Sequence, residues 1–279
     1  MRLFQTDHGI ASADDDGLAI LDLPHGTVVE LLNDRDADPA KAAVRKRLPI
    51  ADCTITAPVP ASTRIFLIGA NYRSHIEEAG LTEPSRAMGM PIPATALAGP
   101  YDAVALPAEA PTQVDYEGEL AVLVGTPGRD IAPGSGWDHV AGLCVADDIS
   151  ARDVQHAGFE DGRIVDLDAV LRGKSFPGFK PLGPCVTTVE EIRAAGALTL
   201  RTRVNGQLRQ EGTTAEMLFD FGAVVEGLSK DFDLMAGDVI LTGTPSGVGV
   251  VDGRFLRAGD VVEVEVDHIG TLRNEIVAS

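Results

Sequence analysis

Apolar and polar residues alternate along much of the chain, in short runs that end at turn dipeptides. The clearest runs read "RIFLIGA", "LAVLVG", "HVAGLCVADD", "LTLRTRVNG", "DVILTG" and "DVVEVEVDHIG". A period of two is typical of a strand with one face toward the core, and the intervening "PG", "NG" and "DG" pairs favour tight turns. The runs do not recur at a fixed spacing, so the pattern predicts one larger β-rich domain from Thr63 onward and no solenoid.

Helical periodicity is confined to a few short segments. It predicts helices around Tyr72 to Ala79 and Val189 to Ala195, and a helix start in "DPAKAAVRKRL". The strongest pattern is "TTAEMLFDFGAVVEGLSK", with Thr213 or Thr214 as its cap. Residues 1–58 form a separate set of short strands that ends at the Pro-rich "APVPAS", so we predict a small N-terminal domain and a catalytic domain over residues 59–279.

The charge of the chain restricts its partners. With 42 acidic against 23 basic residues the net charge is −19, which would repel nucleic acid and anionic membrane surfaces. A site for a small anion would therefore need a local cation. No run of 18 apolar residues and no signal-peptide order is present, and Cys53, Cys144 and Cys185 lie far apart, so we expect a soluble, cytoplasmic protein.

The stretch "DYEGELAVLVG" places Glu117 and Glu119 on one face of a strand, with Cα atoms about 7 Å apart. Such a pair also fits a solvated edge strand with a charged face. A further run ends in Asp147 and Asp148, of which only one can face the same way as the glutamates. Two glutamates and one aspartate make an all-oxygen set that suits a hard cation such as Mg²⁺ or Mn²⁺.

Three other segments carry candidate chemistry. His75 and Glu78 lie three apart in a predicted helix, where an imidazole beside a carboxylate can serve as a general base. Taken alone, the pair is more typical of a surface histidine near the start of a helix. Lys174 is one of only five lysines, whereas the chain has 18 arginines. A lysine kept in such a chain suggests an ammonium with a specific function, but codon bias explains the ratio equally well. "LTGTPSGVG", residues 241–249, offers N–H groups for a carboxylate or enolate oxygen, or is a tight loop after a strand.

Taken together, seven segments resemble the fumarylacetoacetate hydrolase superfamily. In chain order they are "GANYRSHIEE", "DYEGELAVLVG", "DDISARDVQ", "GKSFPGFKPLGP", "VNGQLRQEGTTAEMLF", "AGDVILTGTPSGVG" and "AGDVVEVEVDHIGTLRNEI". The match runs from about Arg64 to Val277 and is closest in kind to bacterial acylpyruvate hydrolase or hydroxyhepta-diene-dioate isomerase members. The resemblance implies an α+β, mainly β fold, a mixed β-sandwich roll with a small N-terminal β-rich domain, usually assembled as a homodimer.

The resemblance also implies the roles of individual residues. It implies Mg²⁺ or Mn²⁺ held by Glu117, Glu119 and Asp148, and a mobile lid that brings His75 and Glu78 over the substrate as a water-activating dyad. Lys174 and Gln155 would lie near the substrate, and Thr244 would bind its carboxylate, with further substrate contacts from Tyr72, Arg152 and Gly243. For Arg152 a fixed pair with Asp153 that supports the turn is an equal alternative.

The implied reaction is hydrolysis of the C–C bond of a 2,4-diketo acid through a metal-bound enolate, with water activated by the dyad and pyruvate released. Decarboxylation of oxaloacetate-type acids, isomerisation of hydroxymuconate-type dioates, and a catalytically silent metal-binding homologue remain alternatives. The chain departs from relatives in having no lysine between Met88 and Pro107. This absence favours a small anionic 2-oxo acid with a neutral or apolar tail.

Overall fold

The chain folds mainly into short strands joined by tight turns. The computed structural model describes residues 1–14, 17–160 and 163–279. Its regular elements confirm the predicted α+β, mainly β class. The strands are β1 Arg2–Thr6, β2 Gly9–Asp14, β3 Gly17–Asp22, β4 Ala43–Leu48, β5 Ile55–Thr56, β6 Ile65–Ile68, β7 Gly89–Ile92, β8 Leu97–Ala98, β9 Val104–Ala105, β10 Val114–Asp115, β11 Gly118–Val124, β12 Val140–Asp147, β13 Ser150–Ala151, β14 Phe159–Glu160, β15 Arg163–Ile164, β16 Lys180–Thr188, β17 Thr199–Val204, β18 Gln207–Thr213, β19 Val239–Leu241, β20 Val261–Val266 and β21 Gly270–Val277.

The helices are short and lie between the strands. They are α1 Val28–Asn33, α2 Arg73–Ala79, α3 Arg152–Gln155, α4 Leu167–Gly173, α5 Val189–Ala195, α6 Phe221–Leu228 and α7 Gly249–Asp252. Single 3₁₀ turns occupy Pro39–Lys41, Ile50–Asp52, Ala94–Ala96, Gly136–His139, His156–Gly158 and Thr214–Glu216. In the described ranges, no helix is long and apolar enough to cross a membrane.

A large sheet with the strand order β4-β3-β2-β1-β16-β12-β11-β19-β6-β7 runs through the molecule. Strand β11 lies inside it, antiparallel to β12 and to β19. Leu120 and Val122 pack into one core cluster, while Ala121 and Leu123 pack into the other. Both faces of β11 are therefore buried, which rules out the exposed edge strand considered for this segment.

A second sheet, with the order β18-β17-β20-β21-β9, covers one face of the first. Its inward residues, among them Leu200, Val262 and Val264, join the same core cluster as Leu120. The N-terminal strands continue the large sheet, because β1 pairs with β16 through Leu3 and Val186. The domain division at residue 58 stays a prediction.

Two helix predictions were wrong. The segment from Thr213 does not form one helix: Thr213 caps only the Thr214–Glu216 turn, and α6 begins after Asp220, whose carboxylate accepts the N–H of Ala223 at 2.8 Å. A carboxylate oxygen at this position satisfies one of the free N–H groups of the first turn, so Asp220 caps the helix. In the N-terminal region, "DPAKAAVRKRL" yields one 3₁₀ turn and then strand β4, which pairs with β3.

Candidate metal and 2-oxo acid site

Three carboxylates meet where β11 begins and β12 ends. Oxygen atoms of Glu117, Glu119 and Asp148 all lie within 4.8 Å of one another, and each residue is at most 5% exposed. The register of the two strands brings them together, because Gly118 pairs with Asp147 and the N–H of Asp148 donates to the Glu117 carbonyl at 2.8 Å. Three buried carboxylates form an oxygen donor set that fits a divalent cation.

Of the two adjacent aspartates, Asp148 joins the cluster and Asp147 does not. Asp147 points away and accepts the N–H of Glu117 at 2.9 Å through Oδ1. Burial raises the pKa of Asp147 to about 7. The alternation of side chains along a strand thus separates the two aspartates, as predicted.

Positive side chains offset the charge of the cluster. Lys174 Nζ lies 2.5 Å from Glu117 Oε2, 2.6 Å from Asp148 Oδ2 and 3.1 Å from Ser150 Oγ. Burial works in the opposite direction, but Arg152 and Lys174 hold the pKa of Glu117 well below its usual range. The pKa of Glu119 is raised by burial and by the neighbouring carboxylates of Asp148 and Glu117. The cluster therefore lacks a full set of compensating charges until a cation binds.

Arg152 is a structural partner of the cluster, but its predicted pair with Asp153 is wrong. Its guanidinium donates to Asp115 Oδ2 at 2.8 Å, to Glu117 Oε1 at 2.7 Å and to Gln155 Oε1 at 2.9 Å. The Asp153 carboxylate instead accepts the N–H of Val154 at 3.1 Å. Consecutive residues of a helix do not face each other, and Arg152 and Asp153 are consecutive in α3.

Helix α2 carries His75 and Glu78 on one side, as predicted, but the two are not hydrogen-bonded. His75 Nδ1 lies 3.8 Å from Glu78 Oε2, and Glu78 accepts the N–H of Gly247 at 3.0 Å through each oxygen. Burial lowers the pKa of His75. The negative charge of Glu117, which is the largest charge effect on this imidazole, acts in the opposite direction. At neutral pH His75 is therefore a neutral imidazole beside the carboxylate cluster, which is the form that accepts a proton.

The loop after β19 closes the other side of the cluster. Gly243, at φ +95°, donates its N–H to Glu119 Oε2 at 2.7 Å, so this glycine holds a carboxylate of the cluster. Thr244 Oγ1 donates to the Gly118 carbonyl at 2.8 Å and accepts from Gln210 Nε2 at 2.8 Å. The substrate contacts predicted for Gly243 and Thr244 stay predictions.

Tyr72 precedes α2 and is completely buried. Its hydroxyl has no hydrogen-bond partner among the described residues, and burial, followed by the charge of Glu119, raises its pKa. A buried phenol without a partner is unusual in a folded protein. The unpaired hydroxyl is consistent with the substrate contact predicted for Tyr72.

Sequence reasoning missed three buried polar residues that hold the site. Asp115 accepts from Arg152 and from the N–H groups of Gly249 and Val250. Gln210 links Gly118 to Thr244, and Lys180 lies 2.9 Å from Asp148 Oδ1. The available signal was their position inside the quoted motifs: Asp115 and Lys180 each share a motif with a predicted site residue, and Gln210 lies in "VNGQLRQEGTTAEMLF".

Comparison with known proteins agrees with this architecture. The family described as fumarylacetoacetate (FAA) hydrolase C-terminal matches residues 64–277. Oxaloacetate tautomerase YisK of Bacillus subtilis is 38% identical over 234 residues, which cover 81% of this chain and 74% of that protein.

Two solved structures match over the whole length of both chains. Fumarylacetoacetate hydrolase from Exiguobacterium antarcticum has a TM-score of 0.83 at 31% identity. Maleylpyruvate hydrolase from Sphingobium sp. SYK-6, in complex with manganese(II) and pyruvate, has a TM-score of 0.78 at 26% identity. On its motifs, its fold and its sequence, this chain belongs to the fumarylacetoacetate hydrolase family.

Proposed function

We propose that this protein is a divalent-cation-dependent enzyme of 2-oxo acids, and that it hydrolyses the C3–C4 bond of 2,4-diketo acids of the acylpyruvate type. The observation that carries the proposal is the position of His75, an imidazole that is 15% exposed and has a lowered pKa, beside the Glu117, Glu119 and Asp148 carboxylates. A base and a cation site at one place provide the two functions that cleavage next to a 2-oxo group requires.

The three carboxylates would hold Mg²⁺ or Mn²⁺, and the similar maleylpyruvate hydrolase was solved with manganese(II) and pyruvate. Such a cation supplies positive charge that stabilises the enolate form of a 2-oxo acid. Thr244 and the unpaired hydroxyl of Tyr72 would contact the bound acid.

His75 would remove a proton from water as the water oxygen bonds to C4. Gln155 is oriented for the resulting oxyanion, because Arg152 fixes its Oε1 and leaves the Nε2 donor for another partner. Lys174 is the second candidate donor. The C3–C4 bond then breaks, its electron pair goes to C3, a carboxylic acid leaves, and the protonated His75 returns its proton to C3 to give pyruvate.

A second candidate is tautomerisation of oxaloacetate, the activity named for the Bacillus subtilis relative. This reaction needs only a base that moves a proton between C3 and the C2 oxygen. The 3.8 Å separation of His75 Nδ1 and Glu78 Oε2 favours it, since a lone imidazole suffices. Decarboxylation and dioate isomerisation would use the same enolate. Homodimeric assembly and cytoplasmic location stay predictions.

The test is proton NMR of the purified protein with Mg²⁺, Mn²⁺ or EDTA on acetylpyruvate, fumarylpyruvate and oxaloacetate. Metal-dependent release of pyruvate and a free acid from a diketo acid would support the hydrolase. Faster equilibration of oxaloacetate tautomers without hydrolysis of either diketo acid would replace it with the tautomerase.

Variants assign the residues in the same assay. E119A should lose metal binding and every activity, while H75A should lose hydrolysis and keep metal binding. The matched control is H8A, because His8 is a partly exposed histidine in the β1–β2 turn. Hydrolysis by H75A at the wild-type rate would show that His75 is not the base.

A further inference from the structure

A second lysine lies behind the carboxylate cluster. Lys180 is completely buried, and its ammonium donates to the carbonyls of Ile149 at 2.9 Å and Phe179 at 3.0 Å. It also forms an ion pair with Asp148 Oδ1 at 2.9 Å. All three neighbours are acceptors, which suits an ammonium with three N–H donors. A buried charge of this kind is costly unless an opposite charge faces it, and Asp148 supplies that charge.

The two lysines of the site hold opposite oxygens of the same aspartate. Lys174 contacts Asp148 Oδ2 from the side of Glu117, where a bound cation would also lie. Lys180 contacts Oδ1 from the side of the protein interior and is fixed by two main-chain carbonyls.

The buried carboxylates around the cluster outnumber the buried cations. They are Asp115, Glu117, Glu119, Asp147 and Asp148 against Arg152, Lys174 and Lys180. A divalent cation would offset the excess of negative charge. Loss of Lys180 would remove one positive charge next to Asp148, inside a protein whose net charge is −19. An anionic ligand gains from the charge of Lys180, whereas the metal is repelled by it.

We propose that Lys180 is a positioning and specificity-determining residue: a buried cation that holds Asp148, weakens the binding of the metal and strengthens the binding of anionic 2-oxo acids. This inference rests on the proposed metal site. It predicts opposite changes in two affinities, which a purely structural role does not produce, since damage to the site would weaken both.

The experiment compares K180Q and K180M with the wild type. Glutamine keeps one donor without a charge, and methionine removes the donors with little change in size. Mn²⁺ affinity is measured from the electron paramagnetic resonance signal of free Mn²⁺, and pyruvate affinity from water proton relaxation of the Mn²⁺-loaded protein. We expect Mn²⁺ to bind about tenfold more tightly and pyruvate about tenfold more weakly. The matched control is K230Q, which removes an exposed lysine that donates to the Ile131 carbonyl; both affinities should stay at wild-type values.

Each other outcome overturns the inference. Weaker binding of both ligands would show that Lys180 only supports the structure of the site. Unchanged affinities would show that the charge of Lys180 does not affect the binding of either ligand. Loss of the fold in both variants would make Lys180 a structural residue. Absence of Mn²⁺ binding by the wild type is a separate result, which removes the proposed metal site and this inference with it.

Discussion

Both carboxylate oxygens of Glu78 accept the N–H of Gly247, each at 3.0 Å. This contact joins the helix that carries His75 to the loop that carries Thr244. A second contact, from the N–H of Ser246 to Ser74 Oγ at 3.3 Å, connects the same two segments. Glu78 therefore has two possible tasks: it fixes α2 over the cluster, and it can orient His75 when water is the nucleophile.

Substitution of Glu78 by glutamine separates these tasks. Glutamine still offers an oxygen to the N–H of Gly247, so α2 should stay in place, but the negative charge that supports a protonated His75 is lost. We expect kcat for acylpyruvate hydrolysis to fall about 100-fold with KM within about threefold. Steady-state kinetics with Mn²⁺ measure both constants. E77Q, at the exposed neighbouring glutamate, should retain the wild-type constants, and E78Q at the wild-type rate would leave Glu78 only its anchoring task.

The lowered pKa of His75 predicts the pH at which activity is lost on the acid side of the pH profile. Burial lowers the pKa of this imidazole below 6.5, so the base form persists to lower pH than for an exposed histidine. Activity should be lost only as pH falls through this lowered pKa, which places the acid limb of kcat/KM below pH 6.5. A profile of kcat/KM in Mn²⁺ measures the limb. A limb above that value would assign the titration to another group.

The strand pattern predicted the metal side of the site, because a period of two is a property of the local chain. It put Glu117 and Glu119 on one face and allowed only one of Asp147 and Asp148 to join them, and the structure brings in Asp148. The bounds of α5, Val189–Ala195, also agree with the helical periodicity. In both cases a few consecutive residues determine the result.

The residues that hold the site could not be found in the same way. Lys180 contacts the Asp148 carboxylate from a strand that begins 32 residues later, and Gln210 bonds to Thr244 across two sheets. Such partners depend on tertiary packing, which periodicity does not report. The wrong cap has a similar origin: Thr213 and Asp220 are both good capping residues, and packing of the intervening segment selects Asp220.

Removal of metal should affect K174M more than the wild type. In the metal-free protein Lys174 bridges Glu117 and Asp148, so its loss leaves both carboxylates without that cation. Breaking one side of a buried ion pair costs about 3–5 kcal/mol. We expect K174M in EDTA to unfold at least about 5 °C below the wild type, and saturating Mn²⁺ to restore most of this difference. Calorimetry in EDTA and in Mn²⁺ measures both shifts, and equal losses in the two conditions would contradict the bridging role.

Gln210 should contribute to both stability and substrate affinity. Its amide accepts the N–H of Gly118 at 2.9 Å and donates to Thr244 Oγ1 at 2.8 Å and to the Pro245 carbonyl at 2.9 Å. Q210A leaves buried polar groups unpaired and should lower the free energy of unfolding by about 2–4 kcal/mol. It should also raise KM, since Thr244 loses a partner. Urea unfolding and kinetics measure the two effects, and Q207A, on an exposed residue of the same strand, should change neither.

The raised pKa of Asp147 makes the stability of the metal-free protein depend on pH. Burial raises this pKa to about 7 from an ordinary value of 3.8, so the folded state keeps a proton that the unfolded chain has released. Stability from this group is complete at low pH and is lost as pH rises through the folded pKa, with a slope of at most about 1.4 kcal/mol per pH unit. D147N keeps an oxygen for the N–H of Glu117 and cannot titrate.

The free energy of unfolding of the wild type should therefore fall relative to D147N as pH rises from about 5 to about 7. Urea unfolding of both proteins in EDTA at a series of pH values measures the difference, and the comparison cancels the contribution of other groups with raised pKa values, such as Glu119. D138N, at an aspartate in the Gly136–His139 turn, is the control and should run parallel to the wild type. A constant difference between the wild type and D147N would mean that Asp147 is ionised in the folded protein throughout this range, despite its burial.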